Sequence, residues 1–319
     1  MAHALSTAKE SEVLLSHPKL SFRAGTYTFE ITSDGQQSVY SVTDGKSTIS
    51  EPISYVFGKA HVAQTYILRH HGKLYEGRVS YYTAIDGLDW TIGDVLNPLP
   101  NVEEAFGRDI SGDESRNCFS CHSTGAVVES KLNLDSLAPG VTCEACHGPG
   151  HSHAEAMRSG TENNLFIFDP RKLSPDALSQ EFCGACHRSA DTVGMMPDLG
   201  GVVNVRFQPY RIATGKHDPN DPHFACTACH NPHIDLPLQG ASSDSKCTSC
   251  HTPSRTTHSP AVNSAPAQAR DLSSEPKSCP VATENCDSCH MPKLEIPGTH
   301  FKFTDHRIRI VRAGEKYPF

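Results

Sequence analysis

The cysteines of this 319-residue chain follow one spacing rule. Twelve of the thirteen lie in six Cys-x-x-Cys pairs, and a His directly follows each pair. The six segments are CFSCH from 118, CEACH from 143, CGACH from 183, CTACH from 226, CTSCH from 247 and CDSCH from 286. Two thiols three positions apart can each add to one vinyl group of the same porphyrin, and the adjacent imidazole can bind its iron. The pattern therefore predicts six covalently attached c-type haems.

Each motif provides two cysteines for haem attachment and one His as an iron ligand. Covalent haem attachment is predicted for Cys118, Cys121, Cys143, Cys146, Cys183, Cys186, Cys226, Cys229, Cys247, Cys250, Cys286 and Cys289. The proximal iron ligands are predicted to be His122, His147, His187, His230, His251 and His290. The remaining cysteine, Cys279, lies outside any pair, so no haem is expected on it. A buried, inert thiol is the favoured interpretation of Cys279, and a covalent link to another chain is the alternative.

Other uses of paired cysteines explain the pattern less well. Four-thiolate zinc sites give no reason for a His at the next position six times over. Disulfide scaffolds are usually shorter than about 100 residues and carry no such rule. A thioredoxin-like motif would occur once, beside a βαβ pattern. Haem attachment is the interpretation that accounts for all six segments.

Composition and charge argue against nucleic acid as a partner and against a membrane span. The chain carries 28 Lys and Arg against 36 Asp and Glu, a formal net charge of −8 without a long basic run, so nucleic acid is not predicted. No apolar stretch approaches the roughly 18 residues of a membrane-spanning helix, so no membrane span is predicted. Hydrophobic residues make up only 37% of the chain. We therefore expect porphyrin surface to supply part of the apolar core.

The elements that must position the motifs fall into two parts. Residues 1–100 contain no Cys, and β-branched and aromatic residues alternate there between Asp-Gly turns, which predicts a small antiparallel β unit. Residues 101–319 hold every motif and are predicted to form a hexahaem module, with residues 252–278, rich in Pro and Ser, as a surface loop. The predicted fold class is α+β with low regular secondary structure, in which the N-terminal β unit precedes a haem-packed module of short helices and loops.

Several segments resemble one family. LYEGRVSYYTAIDGLDWTIG, NCFSCHSTG, GVTCEACHGPGHSH, CTACHNPH, CDSCHMPK and HFKFTDHRIRI are similar to segments of multihaem c-type cytochromes from bacterial genomes. The haem module is similar to the tetrahaem cytochromes of ammonia-oxidising bacteria. The resemblance extends over nearly the whole chain and implies electron transfer among c-type haems. It assigns no reaction, because most members of the family have none known.

Thirteen of the 19 His are not proximal ligands and are available for the opposite faces of the irons. The candidate distal ligands are His61, His153, His233, His300, His306 and His223, with a solvated His as the alternative for each. For His153, the resemblance implies that it serves a neighbouring haem. His217 is an alternative to His223 as the remaining distal ligand. His70 and His71 are expected to be solvated in a hairpin turn.

Five arginines are candidates to pair with haem propionates, and a solvated charge is the alternative for each. They are Arg206, Arg211, Arg307, Arg309 and Arg312.

Three functions are compatible with these residues. The first is an electron carrier that passes single electrons through its haems to redox partner proteins. The second is a multihaem oxidoreductase for a small nitrogen or sulfur compound, which needs one haem with an open coordination position. The chain has no Cys-x-x-Cys-Lys variant, which marks the catalytic haem of pentahaem nitrite reductases, but a Cys-x-x-Cys-His haem can also lack a distal ligand. A non-catalytic carrier is favoured, because six motifs are matched by enough spare His. The third is a filament subunit that self-associates haem to haem.

The expected location is the periplasm or the extracellular space, because haem is attached to this motif outside the cytoplasm. The opening segment MAHALSTAKESEVLLSHPKL carries no export signal. We expect such a signal upstream of Met1, and the resemblance implies that the upstream segment carries one further Cys-x-x-Cys-His motif, for a seventh haem.

Overall fold

The structure of the protein is a computed structural model, and two units are distinguished by their internal contacts. Unit 1 consists of Met1–Lys172 and Glu295–Lys302, and unit 2 of Leu173–Leu294 and Phe303–Phe319. The residues described are 1–93, 99–160, 166–194, 201–217, 221, 223–236, 244–251, 279, 281–312, 314 and 315. The predicted surface loop at 252–278 lies outside the described residues. The predicted division at residue 100 separates the part without haem motifs from the part that carries them, whereas the two units are defined by contacts. That division stays a prediction.

One antiparallel sheet dominates unit 1. Its strands are β1 (Leu5–Ser6), β2 (Lys19–Ala24), β3 (Tyr27–Ser33), β4 (Ser38–Thr43), β5 (Thr48–Phe57), β6 (Ala63–His70), β7 (Lys73–Tyr82), β8 (Gly87–Trp90) and β9 (Gly107–Asp109). Strands β2 to β8 lie side by side in chain order, while β1 pairs with β5 and β9 with β7. This arrangement confirms the predicted N-terminal antiparallel unit.

The predicted Asp-Gly turns connect the first strands. Oδ1 of Asp34 accepts hydrogen bonds from the backbone N–H groups of the two residues before β4, and Oδ1 of Asp44 does the same before β5. Gly35 and Gly45 have φ of +83° and +85°, a region that glycine enters without a steric penalty. Local turn chemistry therefore fixes the register of these hairpins.

The sheet curls until its outer strands meet. The ring of Trp90 on β8 lies 5.5 Å from Phe22 on β2 and 5.6 Å from Phe29 on β3, edge to face in both cases. Phe29, Tyr40 and other inward residues of alternating positions are fully buried inside this near-barrel. The alternation seen in the sequence thus separates the core face from the solvent face.

The rest of unit 1 consists of short elements. Its helices are α1 (Glu12–Ser16), α2 (Val102–Phe106), α3 (Asp113–His122), α4 (Cys143–His147) and α5 (His151–Ser159). Its short strands are β10 (Ser123–Thr124), β11 (Val127–Val128), β12 (Lys131–Leu132) and β13 (Ala138–Pro139). The antiparallel pairing of β10 with β13 links the end of α3 to the start of α4.

Unit 2 is built mainly from short helices. They are a π-helical segment (Ala177–Cys183), α6 (Gly184–His187), α7 (Ala190–Gly194), a 3₁₀ segment (Gly201–Arg206), α8 (Gln208–Ala213), α9 (Cys226–Cys229), α10 (Asp244–His251) and α11 (Cys286–His290). Strands β14 (Lys293–Glu295) and β15 (Lys302–Thr304) lie where the chain passes between the units. Mixed helix and strand, with short helices after the sheet, is the predicted class. Among the described residues, no helix has the length and hydropathy to cross a membrane.

Buried apolar side chains are distributed unevenly between the units. Both hydrophobic clusters of the described residues belong to unit 1. Within its described part, unit 2 buries only five apolar side chains, namely Leu178, Val193, Val205, Phe207 and Pro209. Apolar burial stabilises a fold by about 25 cal/mol per Å². Five side chains therefore cannot supply the core of this unit.

One prediction about the β unit is wrong. His70 is the last residue of β6 and is only 8% exposed, rather than solvated in a turn. Its Nδ1 donates to Oε1 of Glu51 at 2.7 Å, and its ring packs 5.1 Å from Phe106. His71 is exposed in the turn, as expected.

We expect the substitution Phe29→Ala to lower the free energy of unfolding of unit 1 by about 3–5 kcal/mol, because it leaves a cavity beneath Trp90. Thr32→Ala, at an exposed position of the same strand, is the matched control and should change it by less than about 0.5 kcal/mol. Urea unfolding followed by circular dichroism measures both. Equal effects of the two substitutions would contradict this description of the core.

Candidate haem sites

Each of the six motifs lies on a helical turn. Four of them are the last residues of α3, α4, α10 and α11. The third motif runs from the end of the π-helical segment into α6, and His230 follows directly after α9. Positions i, i+3 and i+4 of a helix share one face. Both cysteines and the His of a motif therefore lie on the same side, as attachment to one porphyrin requires.

Three proximal His rings are oriented by backbone carbonyls. Nδ1 of His122 donates to the carbonyl oxygen of Ala4, Nδ1 of His147 to that of Phe168, and Nδ1 of His290 to that of Arg309, each at 2.9 Å. A hydrogen bond at Nδ1 fixes the tautomer in which Nε2 carries the lone pair. These rings are therefore set to bind a metal through Nε2, which fits the role of proximal ligand.

In unit 2, the cysteines of successive motifs lie near one another. A hydrogen bond from Cys183 lowers the pKa of Cys226 to about 6, so the third and fourth motifs are in contact. Burial and then the nearby charge of Cys247 raise the pKa of Cys229, so the fourth motif lies near the fifth. Cys247 also hydrogen-bonds with Cys286 of the sixth motif. None of the thirteen cysteines forms a disulfide in the described structure.

A carboxylate aligns the last two motifs. The two oxygens of Asp244, the first residue of α10, accept the backbone N–H groups of Asn285 and Cys286, each at 2.8 Å. These N–H groups belong to the start of α11, where helical donors have no partner within the helix. Asp244 thereby holds the attachment turn of the sixth motif against the helix of the fifth.

Two other His rings lie near predicted proximal ligands of unit 2. The ring centres of His306 and His230 are 6.1 Å apart, and those of His217 and His251 are 6.2 Å apart. Imidazole nitrogens bind transition metals at about 2 Å, and a ring centre lies about 1 Å behind the nitrogen, so two axial imidazoles of one metal have centres about 6 Å apart. Both pairs have this separation.

The surroundings of these two rings also fit ligand roles. Nδ1 of His306 donates to the carbonyl oxygen of Thr304 at 3.0 Å, which leaves Nε2 as the ligating nitrogen. Burial lowers the pKa of His306 and that of His217, and so favours the neutral imidazole that a metal binds. The ring of His217 stacks on Phe224 with centres 4.3 Å apart.

The other candidate distal ligands lie in varied positions. His153 is half-buried on α5, while His61 and His233 are exposed. His223 is exposed, and its Nδ1 lies 3.3 Å from Oδ1 of Asp221. Nε2 of His300 lies 2.7 Å from Oδ2 of Asp89. To bind iron, His300 would have to use Nδ1, or Nε2 would have to leave Asp89. The ligand roles of these five His stay predictions.

Protein carboxylates engage two of the predicted propionate partners. Nε and a terminal nitrogen of Arg211 donate to both oxygens of Asp305, at 2.8 and 3.0 Å, and both side chains are fully buried. Arg309 donates to the same carboxylate and to Glu315. This network holds Asp305 in place, and Asp305 directly precedes His306.

Arg206 differs from that network, because its Nε is buried without a hydrogen-bond partner. Burial and the nearby charge of Arg188 lower the pKa of Arg206. Two cations and an unsatisfied buried donor beside the third motif fit an anionic group such as a propionate.

Cys279 is exposed, so the expectation of a buried thiol is wrong. Backbone hydrogen bonds from Ala282 and Val281 lower the pKa of Cys279, which increases its thiolate fraction.

We expect Asp305→Asn to lower the free energy of unfolding by about 3–5 kcal/mol, because it leaves the guanidinium of Arg211 buried without its counter-charge. Glu284→Gln, at an exposed carboxylate of unit 2, is the control and should change stability by less than about 0.5 kcal/mol. Urea unfolding at neutral pH measures both substitutions.

Acid should reduce the difference between the wild type and Asp305→Asn. Burial acts to raise the pKa of Asp305, but hydrogen bonds from Arg211, Arg309 and the Arg307 backbone bring it below 3.8. A carboxylate with a lowered pKa stabilises the fold above its unfolded-state pKa, and this contribution is lost as the pH falls through the folded-state value. A difference that is unchanged from pH 7 down to pH 2 would contradict the ion pair.

Two comparisons with known proteins match parts of this chain. The family model described as cytochrome c554 and c-prime matches residues 100–148, which contain the first two motifs. Multiheme cytochrome MtrA of Shewanella baltica (strain OS185) is 26% identical over 189 residues, or 55% of this chain. The chain spans less than half of that relative, since the match covers 45% of it. No solved structure matches. The two matches support a multihaem c-type cytochrome, with c-type haem as its cofactor.

Proposed function

We propose that this protein carries single electrons through six covalently attached c-type haems. The twelve paired cysteines hold the porphyrins, and His122, His147, His187, His230, His251 and His290 bind the irons from the proximal side. The observation that carries the proposal is the helical turn at each motif, which puts two thiols and one imidazole on the same face. The haem supplies the redox change, and the chain supplies attachment, orientation and the surroundings that set the potential.

The apolar deficit of unit 2 supports a haem-packed module. Four of the six motifs belong to this unit, which buries only five apolar side chains among its described residues. Porphyrins present large apolar faces, so four of them would provide the missing core. Unit 1 has its own hydrophobic clusters and carries two motifs. Haem attachment is thus proposed to be a condition for the folding of unit 2.

The contacts between motifs support a relay. The third to sixth motifs lie near one another in chain order: Cys183 hydrogen-bonds with Cys226, Cys229 lies near the charge of Cys247, and Cys247 hydrogen-bonds with Cys286. Attachment points this close to one another would hold successive porphyrins next to each other. Close packing of this kind is what passage of single electrons from haem to haem requires.

Closed coordination favours a carrier over an enzyme. We propose that His306 binds the haem of His230 from its distal side, and that His217 binds the haem of His251, since both pairs have the spacing of two axial imidazoles. A second imidazole lowers the reduction potential and prevents a substrate from reaching the iron. His61, His153, His233 and His300 remain proposed distal ligands of other haems, and His223 is the alternative to His217 at the haem of His251.

Location and partners follow from the cofactor chemistry. We propose a periplasmic or extracellular protein, because c-type haem is attached there, with redox proteins as partners. The net charge of −8 would steer a partner with a basic surface towards this chain. The closer similarity to the tetrahaem cytochromes of ammonia-oxidising bacteria also remains a proposal.

Coordination can be tested on the purified, haem-loaded protein. We expect the oxidised protein to give only low-spin electron paramagnetic resonance signals, and the reduced protein not to respond to carbon monoxide. His217→Ala should then convert one haem to a high-spin, carbon-monoxide-binding site, because it removes an axial imidazole. His223→Ala is the matched control, an exposed His six residues further along, and should leave all signals unchanged.

Each contrary result has a definite meaning. A high-spin, carbon-monoxide-binding haem in the wild type would contradict the carrier and favour the oxidoreductase. A new open haem in His223→Ala, together with none in His217→Ala, would contradict the assignment of His217.

A further inference from the structure

A His and Glu cluster in unit 1 has no role in haem attachment. His70 ends β6, His71 occupies the turn that follows, and Glu103 lies in the first turn of α2. One ligand atom from each of the three lies within 4.8 Å of the other two. The rings of His70 and His71 have their centres 3.9 Å apart. The sequence suggested only a solvated hairpin turn at this place.

The buried imidazole of His70 is unsatisfied on one side. Its Nδ1 donates to Oε1 of Glu51 at 2.7 Å, so in the neutral ring Nε2 carries the lone pair. Nε2 is buried and makes no hydrogen bond, and Oε2 of Glu103 lies 3.4 Å from it. Two electron-pair donors that face each other repel unless a cation lies between them. The nearby cations already have partners, since Lys73 contacts Asp109 and Arg78 contacts Glu104.

We propose that His70, His71 and Glu103 bind a divalent transition-metal ion of the zinc class. Imidazole and carboxylate are ligands that zinc accepts, and three protein ligands leave one tetrahedral position for water. Glu51 acts as the carboxylate that orients the buried ligand, as outer partners of metal-bound His usually do. His71 and Glu103 are exposed, so their side chains can rotate inward to complete the coordination.

The ion would join two parts of unit 1 that are distant in sequence. His70 and His71 belong to the connection between β6 and β7, whereas Glu103 belongs to α2, which follows β8. The ring of His70 also packs on Phe106 of the same helix, so the site lies against the core. A metal that binds only the folded chain stabilises it by mass action. The site is thus a structural clamp, and it is independent of the proposed electron transfer.

The test uses the haem-loaded protein after removal of loose metal with a chelator. Zinc chloride is the probe. After dialysis, the number of zinc ions per chain is measured by inductively coupled plasma mass spectrometry, with haem iron as the internal reference. His71→Asn suits the left-handed backbone at that position, where φ is +48°. Glu103→Gln removes the carboxylate charge. Glu12→Gln, at an exposed Glu in the first turn of α1, is the matched control.

We expect the wild type and Glu12→Gln to bind one more zinc ion per chain than His71→Asn and Glu103→Gln, and to gain thermal stability with zinc that these two variants do not gain. The comparison is between variants, so zinc at other His residues cancels. Both substitutions are at exposed side chains, and equal melting temperatures without zinc would show that the fold is intact. The same zinc content and the same zinc-dependent stability in all four proteins would overturn the site.

Discussion

The scarcity of buried apolar side chains in the described part of unit 2 is the constraint on which the rest of the structure depends. Unit 1 folds around a curled sheet whose inward residues, such as Phe29 and Tyr40, are fully buried. Unit 2 has no such cluster among its described residues, and its described α-helices have only four to eight residues. Net stability is a small difference between burial and conformational entropy, and so little burial does not stabilise a fold by itself. In the proposed function, covalent haem would resolve this conflict, because the group that carries the electrons would also supply apolar surface.

Long-range polar contacts then determine where the ligands lie. The proposed distal ligand His306 follows Asp305, whose carboxylate is buried against Arg211. Proximal rings are oriented in the same manner, by the backbone carbonyls of residues as remote as Ala4 and Arg309. Charge pairs and carbonyls with fixed positions orient a ligand more exactly than apolar packing does, because hydrogen bonds are directional. A His held in this way would keep its geometry if it bound a redox-active iron.

The sequence predicted the features that depend on local spacing. The motifs could be recognised because each has the same Cys-x-x-Cys-His spacing, and the sheet because buried residues such as Tyr40 and Val42 alternate with half-buried neighbours. It did not predict the burial of His70, because that depends on Glu51 and on α2, which are remote in the chain. The choice between His217 and His223 was open for the same reason. Contacts between residues that are far apart in the sequence depend on the tertiary fold. They leave no short pattern in a single sequence.

The covalent attachment of six haems is tested most directly by the mass of the denatured chain, measured on protein produced with its haem-attachment machinery. We expect the mass of the polypeptide plus six haems, retained after acid and acetone extraction, and one thiol, that of Cys279, which still reacts with an alkylating reagent. A mass with fewer than six haems, or paired cysteines that remain reactive or hold zinc, would contradict it.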